Sequence, residues 1–247
     1  MRKNKSLAIS LLSSFFKLFN KRIVIYPLNY KAKEVPLSSQ IKPLPGYISI
    51  IDEDYGHAKS LQLQQCVDKN TNPLPWFTYP AIEYLKQLDL SQKTVLEWGS
   101  GNSSLFFSSL AKKVYSIEHN ADWYERVKGF KIANQTIVNA TEEQYVDAIK
   151  KFDTKFDIII VDGILRNECA SIAHDFLNSG GLIILDNSDR HPDISKDLRV
   201  KNLIQVDMHG LGPINNYTWT TSFFFTRDFN FLPLNDIQPV IPIGGGY

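Results

Sequence analysis

The chain has 247 residues with 27 Lys and Arg against 26 Asp and Glu, a formal net charge of +1, and 43% of its residues are hydrophobic. This composition predicts a sizeable core and leaves room for one large α/β domain with additional elements. It offers no basic surplus of the kind that nucleic-acid binding favours, so we expect no nucleic acid among its partners. Two cysteines far apart, Cys66 and Cys169, exclude a disulfide framework and are expected to be reduced structural thiols.

The N-terminal segment has the pattern of an amphipathic helix, because residues 6–21 place apolar side chains on one face and polar ones on the other. The segment is too short to span a bilayer. Three interpretations stay open: a helix packed on the domain or a partner, an interfacial membrane helix, or a signal-like segment. We expect a cytoplasmic protein, with peripheral membrane contact through residues 6–21 under the second interpretation.

Residues 22–50 contain four prolines and no sustained helical period. They predict extended segments and turns, with short strands at 23–26 and 47–51. A helix is predicted over 57–68, and another after Thr78, since Pro80 suits a first helical turn. We divide the chain into a helix (1–22), a cap or extension (23–75), a main domain (76–230) and a tail (231–247).

From residue 93 onward, strands and helices alternate. Uninterrupted apolar strands are predicted at 94–98, 114–118, 135–139, 156–161 and 182–185, which indicates a parallel sheet covered on both faces. Two further strands, 202–209 and 217–226, follow with no helix between them and are expected to be antiparallel neighbours. The predicted fold is a doubly wound, mostly parallel, seven-stranded α/β sheet ending in an antiparallel pair.

A nucleotide-binding unit is indicated where the first strand ends in Glu97, followed by Gly99 and Gly101, and the second ends in Glu118 about 20 residues later. The glycines allow a sharp turn and close backbone approach to a ligand. An acid at Glu97 suits a cationic amino group and would repel a pyrophosphate. Glu118 can accept both ribose hydroxyls.

These motifs, together with Phe156–Gly163 and Gly180–Asn187, resemble those of class I S-adenosylmethionine-dependent methyltransferases over about residues 76–227. The resemblance implies a Rossmann-like fold and S-adenosylmethionine as cofactor. It implies cofactor contacts for the glycine loop, the ends of the second, third and fourth strands, and the segment before the first strand. The predicted cofactor-binding residues are Thr78, Glu97, Gly99, Ser100, Gly101, Glu118, His119, Asn139, Ala140 and Asp162.

Three polar residues that follow apolar strands are candidates for catalysis. Asp162, Asp186 and Asn187 resemble the set that holds a divalent cation in catechol-type and caffeoyl-type O-methyltransferases, and such hard oxygen ligands suit Mg²⁺. The alternative is that Asp186 and Asn187 cap the loop and contact substrate, with Arg190 replacing the metal electrostatically. The catalytic candidates are Asp162, Asp186 and His191, of which His191 is the first choice among the histidines as a base.

The function predicted from the sequence is O-methylation of a small-molecule, sugar or lipid-linked acceptor. A non-catalytic binding module that kept the fold is the first alternative. An NAD-dependent oxidoreductase is the second, and two features disfavour it. Ser104 stands where a dinucleotide fingerprint carries its third glycine, and the terminal strands do not continue the βαβ pattern.

Overall fold

The structure is a computed structural model that describes residues 44–245. The amphipathic helix predicted at 6–21 and the strand predicted at 23–26 lie outside the described residues. Within 44–245, none of the helices combines the length and the apolar character needed to cross a bilayer.

A single seven-stranded sheet forms the centre of the described part, in the order β3-β2-β1-β4-β5-β7-β6. Neighbouring strands are parallel from β3 to β5, and β7 is antiparallel to both β5 and β6. This confirms the predicted doubly wound sheet with a terminal antiparallel pair. The strands are β1 (Thr94–Trp98), β2 (Lys113–Glu118), β3 (Gln135–Asn139), β4 (Phe156–Val161), β5 (Leu177–Asp186), β6 (Ile204–Gly210) and β7 (Trp219–Phe225).

Helices cover both faces of the sheet, as the apolar strands require. On β4, Ile158 and Ile160 face one apolar core, whereas Ile159 and Val161 face the other. Side chains of α3 and α4 complete the first core, and those of α6, α7 and α8 complete the second. The helices are α1 (Leu44–Ser49), α2 (His57–Leu63), α3 (Tyr79–Lys86), α4 (Asn102–Leu110), α5 (Ala121–Lys128), α6 (Glu142–Tyr145), α7 (Arg166–Ala173) and α8 (Pro192–Val200).

The strand predicted at 47–51 is wrong: α1 ends at Ser49 and a π-helical turn continues over Ile50–Asp54. A short apolar run does not distinguish a strand from a helix by its period alone. Tertiary contacts just after the turn hold the segment, because the ring of Tyr55 packs 4.3 Å from that of Tyr79 and its hydroxyl donates to Glu83.

The segment between α2 and α3 packs on the glycine-loop side of the sheet. Cys66 is buried, and its carbonyl accepts a hydrogen bond of 2.8 Å from the side chain of Asn102, the first residue of α4. The hydroxyl of Ser60 bonds both backbone groups of Val67. Both cysteines are free thiols, as predicted.

The order of the strands defines where a ligand can bind. The chain passes from β1 outward to β3 and then crosses to β4, so the winding direction reverses between the neighbours β1 and β4. In open α/β sheets, ligands bind at the carboxyl ends of the strands beside such a reversal. The predicted glycine loop follows β1 directly, and Asp162 follows β4 directly.

Asp157 connects the three central strands at their amino ends, opposite the glycine loop. Its Oδ2 accepts hydrogen bonds from the backbone amide and hydroxyl of Thr94 at 2.7 and 2.9 Å, and its Oδ1 accepts one from Asn178 at 3.1 Å. The carboxylate of β4 therefore ties the first residue of β1 to the beginning of β5.

We expect Asp157→Ala to lower the free energy of unfolding by about 1–3 kcal/mol, because donors in the part-buried edge lose a charged acceptor. Urea unfolding followed by circular dichroism measures the change. Asp153→Ala is the matched control, since Asp153 is exposed in the bend just before β4. Equal stability of the two variants would contradict the role of Asp157.

Candidate functional site

A cavity of about 360 Å³ lies at the carboxyl ends of β1, β2 and β4. It brings together six of the predicted cofactor residues, which come from three separate strand ends. The lining residues are Glu97, Trp98, Gly99, Ser100, Ser103, Glu118, His119, Asp162, Gly163 and Ile164.

The loop after β1 turns tightly at Gly99, which has a φ of +112° that side-chain-bearing residues rarely adopt. Ser104, one turn into α4, accepts a hydrogen bond of 3.1 Å from the backbone amide of Gly101. The serine that replaces a third glycine therefore holds the loop in place. Gly101 itself packs against the ring of Trp123, whose Nε1 donates to the carbonyl of Ser100 at 2.7 Å.

Glu97 is fully buried and surrounded by serine hydroxyls. Ser103 donates to Oε2 at 2.6 Å, Ser116 donates to Oε1 at 2.7 Å, and Ser104 also donates to Oε1. Burial raises the pKa of Glu97 to about 7, the three hydroxyls oppose that rise, and the charge of Glu118 adds to it. The side chain that faces the cavity is thus a carboxyl group that changes charge near neutral pH.

Glu118 is also buried, and its carboxylate is oriented by neighbouring donors. Oε1 accepts hydrogen bonds from the backbone amides of His119 and Asn120 at 3.0 and 2.9 Å, and Oε2 accepts one from Ser100 at 2.8 Å. The Ser100 hydroxyl joins the glycine loop to the end of β2, and both residues line the cavity. A carboxylate held in this way is prepared to accept hydroxyl groups of a ligand.

Asn139 and Ala140 lie beside Glu118 but not in the lining of the cavity. The side-chain amide of Asn139 and the backbone amide of Ala140 both donate to the carbonyl of Glu118, at 3.0 and 2.9 Å. They hold the end of β3 against β2. Their connection to the cavity is indirect, through Glu118. Their predicted adenine contact stays a prediction.

Thr78 does not line the cavity, and its predicted cofactor contact stays a prediction. Its hydroxyl donates to the carbonyl of Met208 at 2.8 Å, and its amide donates to Thr221 at 3.1 Å. The residue is fully buried between the start of α3 and the antiparallel pair. A proline-flanked helix start gives no information about which distant strand it will contact, so the sequence does not indicate these hydrogen bonds of Thr78.

Tyr145 is a residue near the site that the sequence did not indicate. Its hydroxyl is buried and has no hydrogen-bond partner among residues 44–245. It lies directly behind Gly163, where an added Cβ would come within 1.9 Å of the hydroxyl oxygen. Glycine at 163 is therefore a steric requirement of this cavity wall, and the wall contains one unused hydrogen-bonding group.

The predicted Mg²⁺ set does not fit a metal, because Arg166 occupies its ligands. The guanidinium donates to Asp162 Oδ1 at 2.9 Å and to Asn187 Oδ1 at 3.2 Å. It also donates to the backbone carbonyls of Asp162, Gly163 and Asp186. In the described part of the chain, no three His, Cys, Asp or Glu side chains are placed to hold a metal ion. A fixed cation of the protein thus stands where the sequence predicted a bound one, and it is Arg166 rather than Arg190.

Asp186 lies at the end of β5 and lines a second cavity of about 350 Å³. Its Oδ1 accepts hydrogen bonds from Trp219 Nε1 at 3.0 Å and Thr221 Oγ1 at 2.6 Å. Burial raises its pKa well above the usual value, and the negative charge of Asp162 adds to the rise. The other lining residues are Trp76, Asp162, Arg166, Asn187, Arg190, Asn215 and Tyr217.

His191 lies at the start of α8 and is not part of the lining of either cavity. Partial burial lowers its pKa, and the charges of Arg166 and Arg190 lower it further. Of the three predicted catalytic residues, the structure brings Asp162 and Asp186 to the cavities and leaves His191 outside their walls.

Comparisons with known proteins agree with the architecture. No family model and no curated protein matches the sequence. Many solved structures resemble the fold, among them fibrillarin from Aeropyrum pernix with natively bound S-adenosyl-L-methionine, with 16% identity and a TM-score of 0.48 over 59% of this chain and 72% of that one. Precorrin-6y C5,15-methyltransferase from Geobacter metallireducens shares 16% identity over 60% and 87% of the two chains, with a TM-score of 0.44.

An rRNA methylase from Streptococcus thermophilus is also similar, with 15% identity and a TM-score of 0.43 over 60% of this chain and 97% of that one. The expectation that excluded nucleic acid as a partner is therefore wrong, because proteins of this fold include one that is named for its action on RNA. A net charge near zero does not exclude such an acceptor either. The strand order and the loop after β1 confirm the predicted Rossmann-like fold.

The Arg166 arrangement predicts how the protein responds to Mg²⁺. Millimolar Mg²⁺ should leave the melting temperature of the wild-type protein unchanged, because the guanidinium already neutralises Asp162 and fills the space between the strand ends. Thermal melting with and without Mg²⁺ and a chelator measures this. NaCl at matched ionic strength is the control. A selective rise in melting temperature with Mg²⁺ would contradict the assignment.

Proposed function

We propose that the protein is an S-adenosylmethionine-dependent methyltransferase that methylates an oxygen atom of a small hydroxylated acceptor. The observation that carries the proposal is the arrangement of two buried carboxylates, Glu97 and Glu118, around one glycine loop at the reversal point of the sheet. Asp162 belongs to this cavity and to the second one, so the two spaces adjoin.

The first cavity fits the chemistry of the cofactor. Glu97 would pair with the cationic amino group of the cofactor, and Glu118 would accept the ribose hydroxyls. The cavity wall at Gly163 would lie against a flat face of the cofactor. When bound, S-adenosylmethionine supplies a methyl group on a positively charged sulfur, which is already reactive toward nucleophiles.

Asp186 is our candidate for the base that removes the proton of the acceptor hydroxyl. Trp219 and Thr221 both bind Oδ1, and Oδ2 has no hydrogen-bond partner within residues 44–245. A carboxyl group with a raised pKa lining a cavity is a better proton acceptor than an ordinary surface carboxylate. Arg166, which donates to the Asp186 carbonyl, holds this strand end beside the cofactor cavity.

Titration of S-adenosylhomocysteine by calorimetry tests the cofactor assignment. We expect wild-type binding, and we expect Glu118→Ala to weaken it by about 1–3 kcal/mol, the size of a lost charged hydrogen-bond pair. Glu125→Ala is the control, because Glu125 is exposed on the neighbouring helix α5 and pairs only with Lys128. Absence of wild-type binding would refute the methyltransferase proposal and favour a module that kept only the fold.

Binding of the same ligand should depend on pH through Glu97. Its raised pKa means that the group is largely protonated below about pH 7 and ionised above it, so attraction for the ligand's ammonium group grows as the pH rises. Affinity should increase roughly tenfold between pH 6 and pH 8, a free-energy change of about 1.4 kcal/mol for one charged contact. Glu97→Gln should bind weakly with little pH dependence. A wild-type affinity that stays constant across this range would contradict the contact.

A further inference from the structure

The second cavity contains groups that the cofactor does not need. Two aromatic rings border it, Trp76 and Tyr217, and about half of each side chain remains exposed to solvent, 49% and 48% respectively. Aromatic rings at the border of a cavity offer a flat apolar face on which a ring of a ligand can pack. Two amide side chains, Asn187 and Asn215, complete the rim.

The cavity also contains one cation with no carboxylate partner. Arg166 is neutralised by Asp162, 2.9 Å away, but the guanidinium of Arg190 has no ion pair or hydrogen bond to any residue between 44 and 245. The neighbouring Asp189 does not neutralise it, because its Oδ1 accepts a hydrogen bond from the Thr220 amide at 3.0 Å on the β7 side.

The backbone that carries Arg190 is firmly held. Ser188–Arg190 form a short 3-10 turn, and the hydroxyl of the buried Ser188 bonds Ser222 at 2.6 Å. The amide of Arg190 donates to the Asn187 carbonyl at 2.9 Å. A guanidinium that extends from this fixed backbone, with no hydrogen bond to residues 44–245, is suited to bidentate recognition of a carboxylate or phosphate.

We propose that the methyl acceptor is a hydroxylated ring compound that carries an acid group, and that Arg190 binds this group while Trp76 and Tyr217 pack against the ring. The inference rests on the proposed function, because it takes this cavity as the acceptor site. A volume of about 350 Å³ accommodates one substituted ring and lies at the lower end of ordinary small-ligand sites.

The test titrates ring compounds into the full-length protein saturated with S-adenosylhomocysteine. The acidic probes are glucuronate, glucose 6-phosphate and 3,4-dihydroxybenzoate, and the neutral counterparts are glucose and catechol. We expect at least one acid to bind tenfold or more tighter than its neutral counterpart. Glucuronate and the phosphate ester distinguish a carboxylate preference from a phosphate preference. Equal binding of every acid and its counterpart would overturn the proposal.

Variants then locate the interaction. Arg190→Gln should reduce acid binding at least tenfold, whereas Arg190→Lys should retain part of it. Arg227→Gln is the matched control, because Arg227 is exposed and borders a cavity that shares no residue with this one. An unchanged affinity in Arg190→Gln would overturn the proposal, as would Arg190-dependent binding of a single-stranded RNA oligonucleotide that exceeds every acid probe.

Binding of S-adenosylhomocysteine in the same samples distinguishes a failure of the acceptor proposal from a failure of the methyltransferase proposal. If S-adenosylhomocysteine binds to the wild-type protein and to Arg190→Gln but no acid binds, the acceptor class is refuted and the methyltransferase proposal stands. If S-adenosylhomocysteine fails to bind to the wild-type protein, the methyltransferase proposal itself fails.

Discussion

The hydrogen bonds of Arg166 hold the candidate site together. The guanidinium belongs to the first residue of α7 and reaches the carboxyl ends of the parallel strands β4 and β5. There it bonds Asp162, Gly163, Asp186 and Asn187. Backbone carbonyls and the carboxylates of Asp162 and Asp186 lie close together at these two strand ends. A charged planar donor with five N–H groups can bond several of these oxygen atoms at once. Removing it would expose two acidic side chains to each other.

The sequence predicted those parts of the site that lie close together along the chain. Glu97, Gly99 and Glu118 belong to one strand–loop–helix–strand unit, whose local pattern carries its own geometry. Parallel pairing of β1 with β2 then brings the two acids to the same edge of the sheet. The predicted antiparallel pair followed from the same logic, because within residues 94–225 only the connection between β6 and β7 lacks a helix.

What the sequence could not predict depends on contacts between distant segments. Thr78 bonds residues more than a hundred positions away, and nothing in its helix-start context indicates that partner. Ser116 reaches Glu97 because β2 happens to place its hydroxyl toward β1. The sequence does not indicate the contacts of Arg166, because a basic residue at the start of a helix has no distinguishing pattern. Asp162, Asp186 and Asn187 resembled a metal site because Arg166, which bonds the side chains of Asp162 and Asn187, lies outside the motifs that carry the resemblance.

The acids of the site differ in how they are neutralised, and this difference separates their chemistry. Asp162 is paired with an arginine and stays accessible, Glu97 is surrounded by hydroxyl groups, and Asp186 is bound only by an indole and a hydroxyl. Burial raises the pKa of all three carboxyl groups, and the charge of Arg166 opposes the rise at Asp162. Neutral donors stabilise a buried anion less than an opposite charge does. A group that pairs with a ligand cation and a group that accepts a substrate proton both need this intermediate stabilisation. Arg166, the other arginine that lines this cavity, is already paired with Asp162. The charge of Arg190 therefore remains available to the proposed acceptor.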